Sequence, residues 1–421
     1  MPFDSASSPT RQAVAIPAVR VFLGAQFFSA FSRSLLQATI AWHLWKLTGS
    51  YFMLGVIGFV EFLPVIPISL FAGAFADAHD RKRIVLTTRS LTLSGALLLA
   101  MATGAASADV ETGIVIATAF ALAFSSSFEN PASSSILPNL VPRAIFPSAT
   151  VVSANVRNVA RMSGPVSMGA LTAAFGIASA YQVTVACLAI SLLLLSRVAV
   201  PRLAPEGRPR VSWVAVREGL VFVGDQKAIL GSMTLDMFAV IFAGATAMLP
   251  VYADEILGVG EFGYGLLSAS MQVGTLVMAV IMLWLPPFER PGRALLWAVL
   301  AFGLSTILFG LSRSFPLSVA AFVLAGMADQ VSMVTRSVIL QLSTPDALRG
   351  RVNSVGMIFI GASNELGAAE SGFLAALTNA TFSVVAGGFA CLGALGLVNA
   401  RMPELRRFEV SSGPGPGAAA K

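Results

Sequence analysis

Charge is scarce in this sequence: Asp, Glu, Lys and Arg make up 11% of its 421 residues, against roughly 25% in a soluble domain. That deficit excludes an ordinary soluble enzyme. Cysteine is nearly absent. Cys187 and Cys391 lie far apart inside apolar runs, which excludes a disulfide framework and a cysteine metal site. The two histidines, His43 and His79, are equally isolated. No Gly-Lys-Ser/Thr segment of the phosphate-loop type is present, so ATP does not drive this chain directly. No Gly-x-Ser-x-Gly elbow and no His-Glu-x-x-His pair gives enzyme chemistry a footing. The sequence therefore predicts no enzyme, no cofactor and no metal. Met1 to Ile16 has no apolar core ending in small residues, so no cleaved signal peptide is expected.

What fills the chain is apolar sequence. Hydrophobic residues make up 56% of it, with a mean hydropathy of +0.80. About 20 consecutive apolar residues cross a bilayer as a helix. The pattern predicts an all-α membrane protein with helices at 18–45, 51–76, 84–106, 112–138, 148–175 and 178–199. After a polar stretch come helices at 228–252, 262–285, 294–312, 315–341, 351–378 and 381–401. An even count of twelve puts both termini on one face. With the termini cytoplasmic, 21 of the 27 basic residues, Arg89 among them, fall at the inner side. Lys46 and Arg313 alone fall outside, and Arg33, Arg157, Arg161 and Arg336 lie within helices. Cytoplasmic loops collect Lys and Arg in this way. The net charge of +6 and pI near 9.8 therefore mark topology and contacts with anionic lipid, not nucleic acid.

Residues 201–227, rich in Pro and Arg, form a cytoplasmic linker in which Trp213 and Val214 begin a short amphipathic piece. It separates an N-terminal six-helix bundle (1–200) from a C-terminal one (228–409). The tail 410–421 has low-complexity composition and is expected to be disordered. A weak repeat supports the division. Leu47-Thr48-Gly49 with Gly55 recurs as Leu257-Gly258-Val259 with Gly265. Pro142-Arg143-Ala144-Ile145 recurs as Pro345-Asp346-Ala347-Leu348. Duplicated halves are a common plan of secondary transporters.

The segment after the second helix reads Gly73-Ala-Phe-Ala-Asp77-Ala-His-Asp80-Arg81-Lys82-Arg83. Gly73 allows close packing. Asp77 can accept bonds from a neighbouring helix N-terminus, and three cations hold the loop inside. This resembles the loop signature of the major facilitator superfamily, G-x-x-x-D-R-x-G-R-R, with Ala78 in place of a basic residue and Asp80 in place of a glycine. Over nearly the whole chain the sequence is most similar to the branch of bacterial exporters containing the enterobactin exporter. The supporting strings include Leu47-Thr-Gly-Ser50, Arg161-Met-Ser-Gly-Pro165 and Thr344-Pro-Asp-Ala-Leu-Arg-Gly-Arg-Val352. The resemblance implies the major facilitator fold of two pseudosymmetric bundles and an exporter's Gly-Pro element in helix 5. Here that element keeps Gly164, Pro165 and Gly169, with Met168 where a glycine is usual.

A charged side chain deep in the membrane is costly and needs a partner or a wet cavity. Arg33 and Glu61 come out near mid-depth on consecutive helices, which predicts an ion pair between them. The pair is read either as part of a transport cavity or as a static packing pair. Arg157 and Arg161, spaced i and i+4, share a face. Glu129 is expected to bridge one of them, and the arginines are read either as an inner gate or structural bridge or as direct contacts to the substrate. Asp236 aligns through the repeat with Gln26, and the two helices would line a central cavity. With Glu61, Asp236 is a candidate for proton coupling. Asp329, Gln330 and Arg336 offer a further pair within one helix, and Asn364, Glu365 and Glu370 add polar groups whose role stays open. Phe27, Phe28, Phe31 and Phe238 neighbour these polar residues and suit a bulky amphiphile better than a sugar. The function expected is proton-coupled efflux of such a compound, a siderophore or drug, across the inner membrane by alternating access. Its partners are the small molecule, the coupling proton and the lipid bilayer, and the chain is expected to act as a monomer. Lipid flipping by the same fold, or a non-transporting sensor or scaffold, are the alternatives.

Overall fold

The computed structural model describes residues 9–199, 213–242, 245–345 and 348–410. Among them all regular structure is helical. The long helices are α1 (Pro17–Thr48), α2 (Tyr51–Ala78), α3 (Arg81–Ala102), α4 (Ala108–Ser134), α5 (Phe146–Phe175) and α6 (Ile177–Arg197). They are followed by α7 (Lys227–Phe242), α8 (Gly260–Met282), α9 (Pro291–Leu311), α10 (Phe315–Ser343), α11 (Arg349–Leu377) and α12 (Ala380–Arg401). The linker's amphipathic piece is a helix, Trp213–Asp225, and the rest of the linker before it lies outside the described residues, as does the tail beyond Val410. Past α7, Tyr252–Ile256 winds as a π-helix.

Local chemistry sets several boundaries. Pro17 begins α1, where its missing N–H costs nothing. Gly49 ends α1 with φ +56, a left-handed conformation that glycine adopts without strain. Asp80 caps α3 by accepting from the backbone N–H groups of Lys82 and Arg83.

Among the described residues, nine helices are long and apolar enough to cross a membrane. The three long helices that miss this standard, α1, α5 and α11, are the ones that carry Gln26 and Arg33, Arg157 and Arg161, and Glu365 and Glu370. All three pack on other helices. α1 lies against α5 and α6, α5 also against α8, and α11 against α2 and α7. Within residues 17–197, α2 and α3 both pack on α4, and α3 also on α6; within 227–401, α8 and α9 pack on α10, and α9 and α7 on α12. The two sets meet where α2 lies along α11 and α5 along α8. We call the end where α1 begins and α12 ends the terminal end, and the opposite one the distal end.

Candidate functional site

α1 presents Gln26, Ser29 and Arg33 at i, i+3 and i+7, one helical face. α4 answers with Glu129, which is 4% exposed. Its Oε2 accepts from Arg33 Nη2 at 2.6 Å, and its Oε1 accepts from Arg89 Nε on α3 at 2.9 Å and from Ser29 Oγ at 3.2 Å. Arg33 also donates to Ser126 Oγ at 2.6 Å. Arg89, 2% exposed, donates to Ser191 Oγ on α6 at 2.7 Å and to the Ala25 carbonyl at 3.4 Å. One carboxylate thus ties α1, α3 and α4 together, and Arg89 extends the tie to α6. Charge-assisted bonds of this kind are the strong ones.

α5 approaches the same face of α1 differently. Gln26 Oε1 accepts from Ser153 Oγ at 2.7 Å and from Arg157 Nη1 at 3.1 Å, while Arg157 also donates to Ser153. The Gln26 amide reaches Ser133 at 3.4 Å. Four residues on, Arg161 is exposed midway along α5. Ser34 Oγ donates to its backbone carbonyl at 2.8 Å, and its guanidinium meets no acceptor among the described residues.

These pairings correct several expectations. Arg33 bridges Glu129 rather than Glu61, because its face of α1 looks toward Ser126 and Glu129 of α4. Glu129 bridges neither Arg157 nor Arg161, since Arg33 and Arg89 occupy both its oxygens. Arg89, counted with the loop cations, is a buried residue of α3. Arg336 pairs across helices with Asp236 on α7, not with Asp329 or Gln330 on its own α10. Ser332 Oγ completes that group, donating to Asp236 Oδ1 at 3.1 Å. Asp236 is therefore engaged in an ion pair. Glu61, 7% exposed on α2, lies within hydrogen-bond reach of Glu365 on α11. Asn364 is exposed one residue before it, and Glu370 is bonded locally by Ser371 at 3.4 Å.

The distal end is held shut by polar contacts between the two sets of helices. Lys46 Nζ meets Asp254 at 3.1 Å, and Trp45 Nε1 donates to the same carboxylate at 2.9 Å. Tyr51 Oη donates to Glu255 at 3.0 Å. Trp42 stacks on Tyr264 at 5.2 Å, and Tyr264 Oη donates to the Ala38 carbonyl at 3.2 Å. Asp254 and Glu255 both come from the π-helix, a form often found at functional sites. Glycines permit the approach. A Cβ on Gly265 would lie 2.5 Å from the Pro165 carbonyl, and one on Gly169 would lie 2.6 Å from the Glu261 carbonyl. Gly164 faces α1, where a Cβ would stand 2.8 Å from Leu35 N. Along α2, Gly58 meets Ala369 at 2.6 Å by the same measure. The Gly164-Pro165-Gly169 element is thus a pair of close-packing faces, one on α1 and one on α8.

At the terminal end, Arg81 Nη1 donates to the Ser135 carbonyl at 3.2 Å, and Lys82 Nζ caps the Ser196 and Val198 carbonyls at 2.7 and 2.8 Å. Arg83 lies 3.9 Å from Asp80. The loop cations thus staple α3 to the ends of α4 and α6. Gly73 and Asp77 fall on the last turns of α2, and their surroundings lie outside the described residues. Three features escaped the sequence reading. Asp80 ahead of a helix is an N-cap signal, legible in retrospect. Arg89 lies within an apolar run, eight residues into α3, and that position was the signal. His43 is not isolated, since its ring accepts or donates at 2.9 Å to Tyr181 Oη and lies 3.6 Å from Glu111. No local pattern announces that last cluster. Among the described residues no group of three or more His, Cys, Asp or Glu could hold a metal ion.

A model of the family described as transmembrane secretion effector matches residues 5–414. The enterobactin exporter EntS of Shigella boydii serotype 4 is 26% identical over 394 residues, covering 93% of each chain. EntS of Escherichia coli O1:K1 is 25% identical over the same length and coverage. Among solved structures, peptide transporter POT in complex with sulfate superposes with a TM-score of 0.71 at 15% identity, over 96% of this chain and 100% of that one. The nucleoside transporter NupG superposes at 0.66 with 14% identity, over 90% and 98%. The fold is that of major facilitator transporters, and the relatives and structural neighbours are transporters, not enzymes.

Proposed function

The chain belongs to the transmembrane secretion effector family of membrane transporters, and on that premise we propose that it is a secondary exporter of the bacterial inner membrane. It crosses the bilayer twelve times, with both termini cytoplasmic, as two six-helix bundles, 1–200 and 228–409, joined by the linker 201–227. Its cargo is a bulky amphipathic small molecule, with a siderophore favoured by the names of the EntS relatives.

One observation carries this reading: two sets of helices that pack mainly within themselves are clasped at the distal end through α2–α11 and α5–α8. A clasp made of one half-exposed ion pair, a tryptophan bond, two tyrosine bonds, one aromatic stack and bare glycine faces can open without unfolding either set. Rocking of one bundle against the other around a central site is how such folds alternate access. Opening the distal clasp releases cargo outward, and cargo enters from the terminal end while the clasp is closed.

Proton coupling is assigned to Glu61 and Glu365. They lie on α2 and α11, in different bundles, within hydrogen-bond reach of each other. An ionised carboxylate only accepts hydrogen bonds, so two carboxyls bond each other only while one holds a proton. Loss of that proton sets two like charges facing across the α2–α11 seam and drives the bundles apart. Asp236, paired with Arg336, serves instead as a structural ion pair of the second bundle. The test is efflux of a siderophore from proteoliposomes with and without an imposed pH gradient. Gradient-driven transport that is lost in Glu61→Gln and in Glu365→Gln is the expected result. Efflux indifferent to the gradient rejects the coupling, and no transport of any siderophore or amphipathic drug rejects the exporter reading.

A further inference from the structure

Four guanidinium groups, Arg33 on α1, Arg89 on α3 and Arg157 and Arg161 on α5, gather around α1, and Glu129 on α4 pairs with two of them. Glu129 neutralises the Arg33–Arg89 pair only in part. Arg157 meets the neutral Gln26 and Ser153. Arg161, with Arg33 and Arg157 as its charged neighbours, meets no acceptor among the described residues and is exposed midway along its helix. An unanswered cation at that depth costs about 2.5–3.5 kcal/mol on insertion scales. A membrane helix carries such a residue where water or an anion reaches it.

The neighbouring surface is apolar. Phe27 and Phe31 stack at 6.2 Å with their planes 11° apart. They share a side of α1 with Ser34 at i, i+4 and i+7, and Ser34 is bonded to the Arg161 carbonyl. That bond ties this side of α1 to α5 at Arg161, so the aromatic pair and the arginine belong to one α1–α5 contact. Arginine both pairs with oxyanions through two parallel bonds and lies against aromatic faces.

We infer that Arg161, supported by Arg157, is the anion-binding point of the cargo site, and that the cargo is an amphipathic anion whose apolar body lies on Phe27 and Phe31. This deepens the proposed export function and rests on its placing the cargo between the bundles. It fixes the sign of the cargo charge, which neither the fold nor the family determines.

The experiment measures equilibrium binding, with no gradient, to the purified chain in lipid nanodiscs. The probes are naphthalene-1-sulfonate and its uncharged counterpart naphthalene-1-methanol, each corrected for empty nanodiscs. Wild type is expected to prefer the sulfonate at least tenfold. Arg161→Gln is expected to lose that preference while still binding the neutral probe, and Arg161→Lys to keep part of it. Thermal melts of all three proteins keep a folding defect from passing as a binding defect, and Arg161→Lys supplies the reading if Arg161→Gln does not fold. Equal binding of the two probes to wild type, binding of neither, or an unchanged preference in Arg161→Gln overturns the inference. An arginine held in reserve for a later bridge to Asp329, which has no partner among the described residues, would give the first of these. Because no transport is measured, failure here leaves the export reading standing, and failure of gradient-driven efflux leaves the binding result readable.

Discussion

Glu129 in the first half of the chain answers two arginines, on α1 and α3, whereas Asp236 in the second half answers one, on α10. The first arrangement joins three helices through one acceptor, and Arg89 extends it to a fourth. The second joins two. A shared acceptor concentrates risk, because its removal strands two cations at once, while loss of either arginine leaves Glu129 still paired. The first half is thus organised around a keystone and the second around a simple clasp between neighbours.

The largest expected effect follows from that contrast. Glu129→Ala should destabilise the purified protein by about 3–5 kcal/mol, the scale for breaking a buried pair from one side, and by more than Asp236→Ala. Thermal or denaturant unfolding in detergent decides it, and equal losses would break the comparison. Next come the two arginines. Arg89→Gln should cost about 1–3 kcal/mol, through the unmade bonds to Ser191 and Glu129. Arg33→Gln should cost less, because its side chain is 25% exposed against 2% for Arg89, yet it should slow transport more. A reversal of that order would place the cavity on the other side of Glu129.

The distal clasp extends the comparison to a region built to open. Lys46 and Asp254 are 45% and 29% exposed, so Lys46→Ala should lower stability by no more than about 0.2–1 kcal/mol. The same change should speed labelling of an Ala369→Cys reporter by a membrane-impermeant maleimide, measured in a chain with Cys187 and Cys391 replaced by serine. Unchanged labelling would mean that the clasp does not hold the distal end closed. The smallest effect is expected at the terminal end. A bond to its own backbone, then the Lys227 ammonium, holds the Glu404 carboxyl below the usual glutamate range. A depressed folded value contributes order above the ordinary pKa that is lost as pH falls through the lowered one. The protection factors of the Glu404, Leu405 and Arg406 amides, taken relative to intrinsic exchange, should therefore fall on acidification below about pH 4.3, and Glu404→Gln should remove that pH step.

Helix placement was largely legible in the sequence. The expected ranges and the observed helices agree within a few residues at most ends, because hydrocarbon thickness dictates the length of an apolar run and Pro17, Gly49 and Asp80 mark stops and starts. Between 228 and 256 the agreement is poorer. One helix, 228–252, was expected there, and the chain instead passes from α-helix through a tighter 3-10 stretch at Ala245–Met248 and one α turn into the wider π-helix, a backbone variation with no periodicity of its own. Candidate site residues were found by being charged where charge is expensive, or for Gln26 by its repeat alignment with Asp236, and Gln26, Arg33, Glu61, Glu129, Arg157, Arg161 and Asp236 do lie within helices that pack on one another. Their partners were not legible. Depth along a helix follows from counting residues, but partnership depends on the rotation of each helix and on which neighbour it meets.

The sequence alone thus determined that the chain is a bundle of membrane helices, where each begins and ends, and which side chains are too polar for lipid, because those properties follow from hydropathy, residue count and local backbone chemistry. Only the tertiary structure decided that Arg33 and Arg89 share Glu129, that Glu61 faces Glu365 across the seam between the two sets of helices, and that Arg161, beside Arg33, meets no acceptor among the described residues. Those relations join residues about 40 to 300 positions apart in sequence. They exist only once helix faces are rotated against each other to bury glycine on glycine and charge on charge.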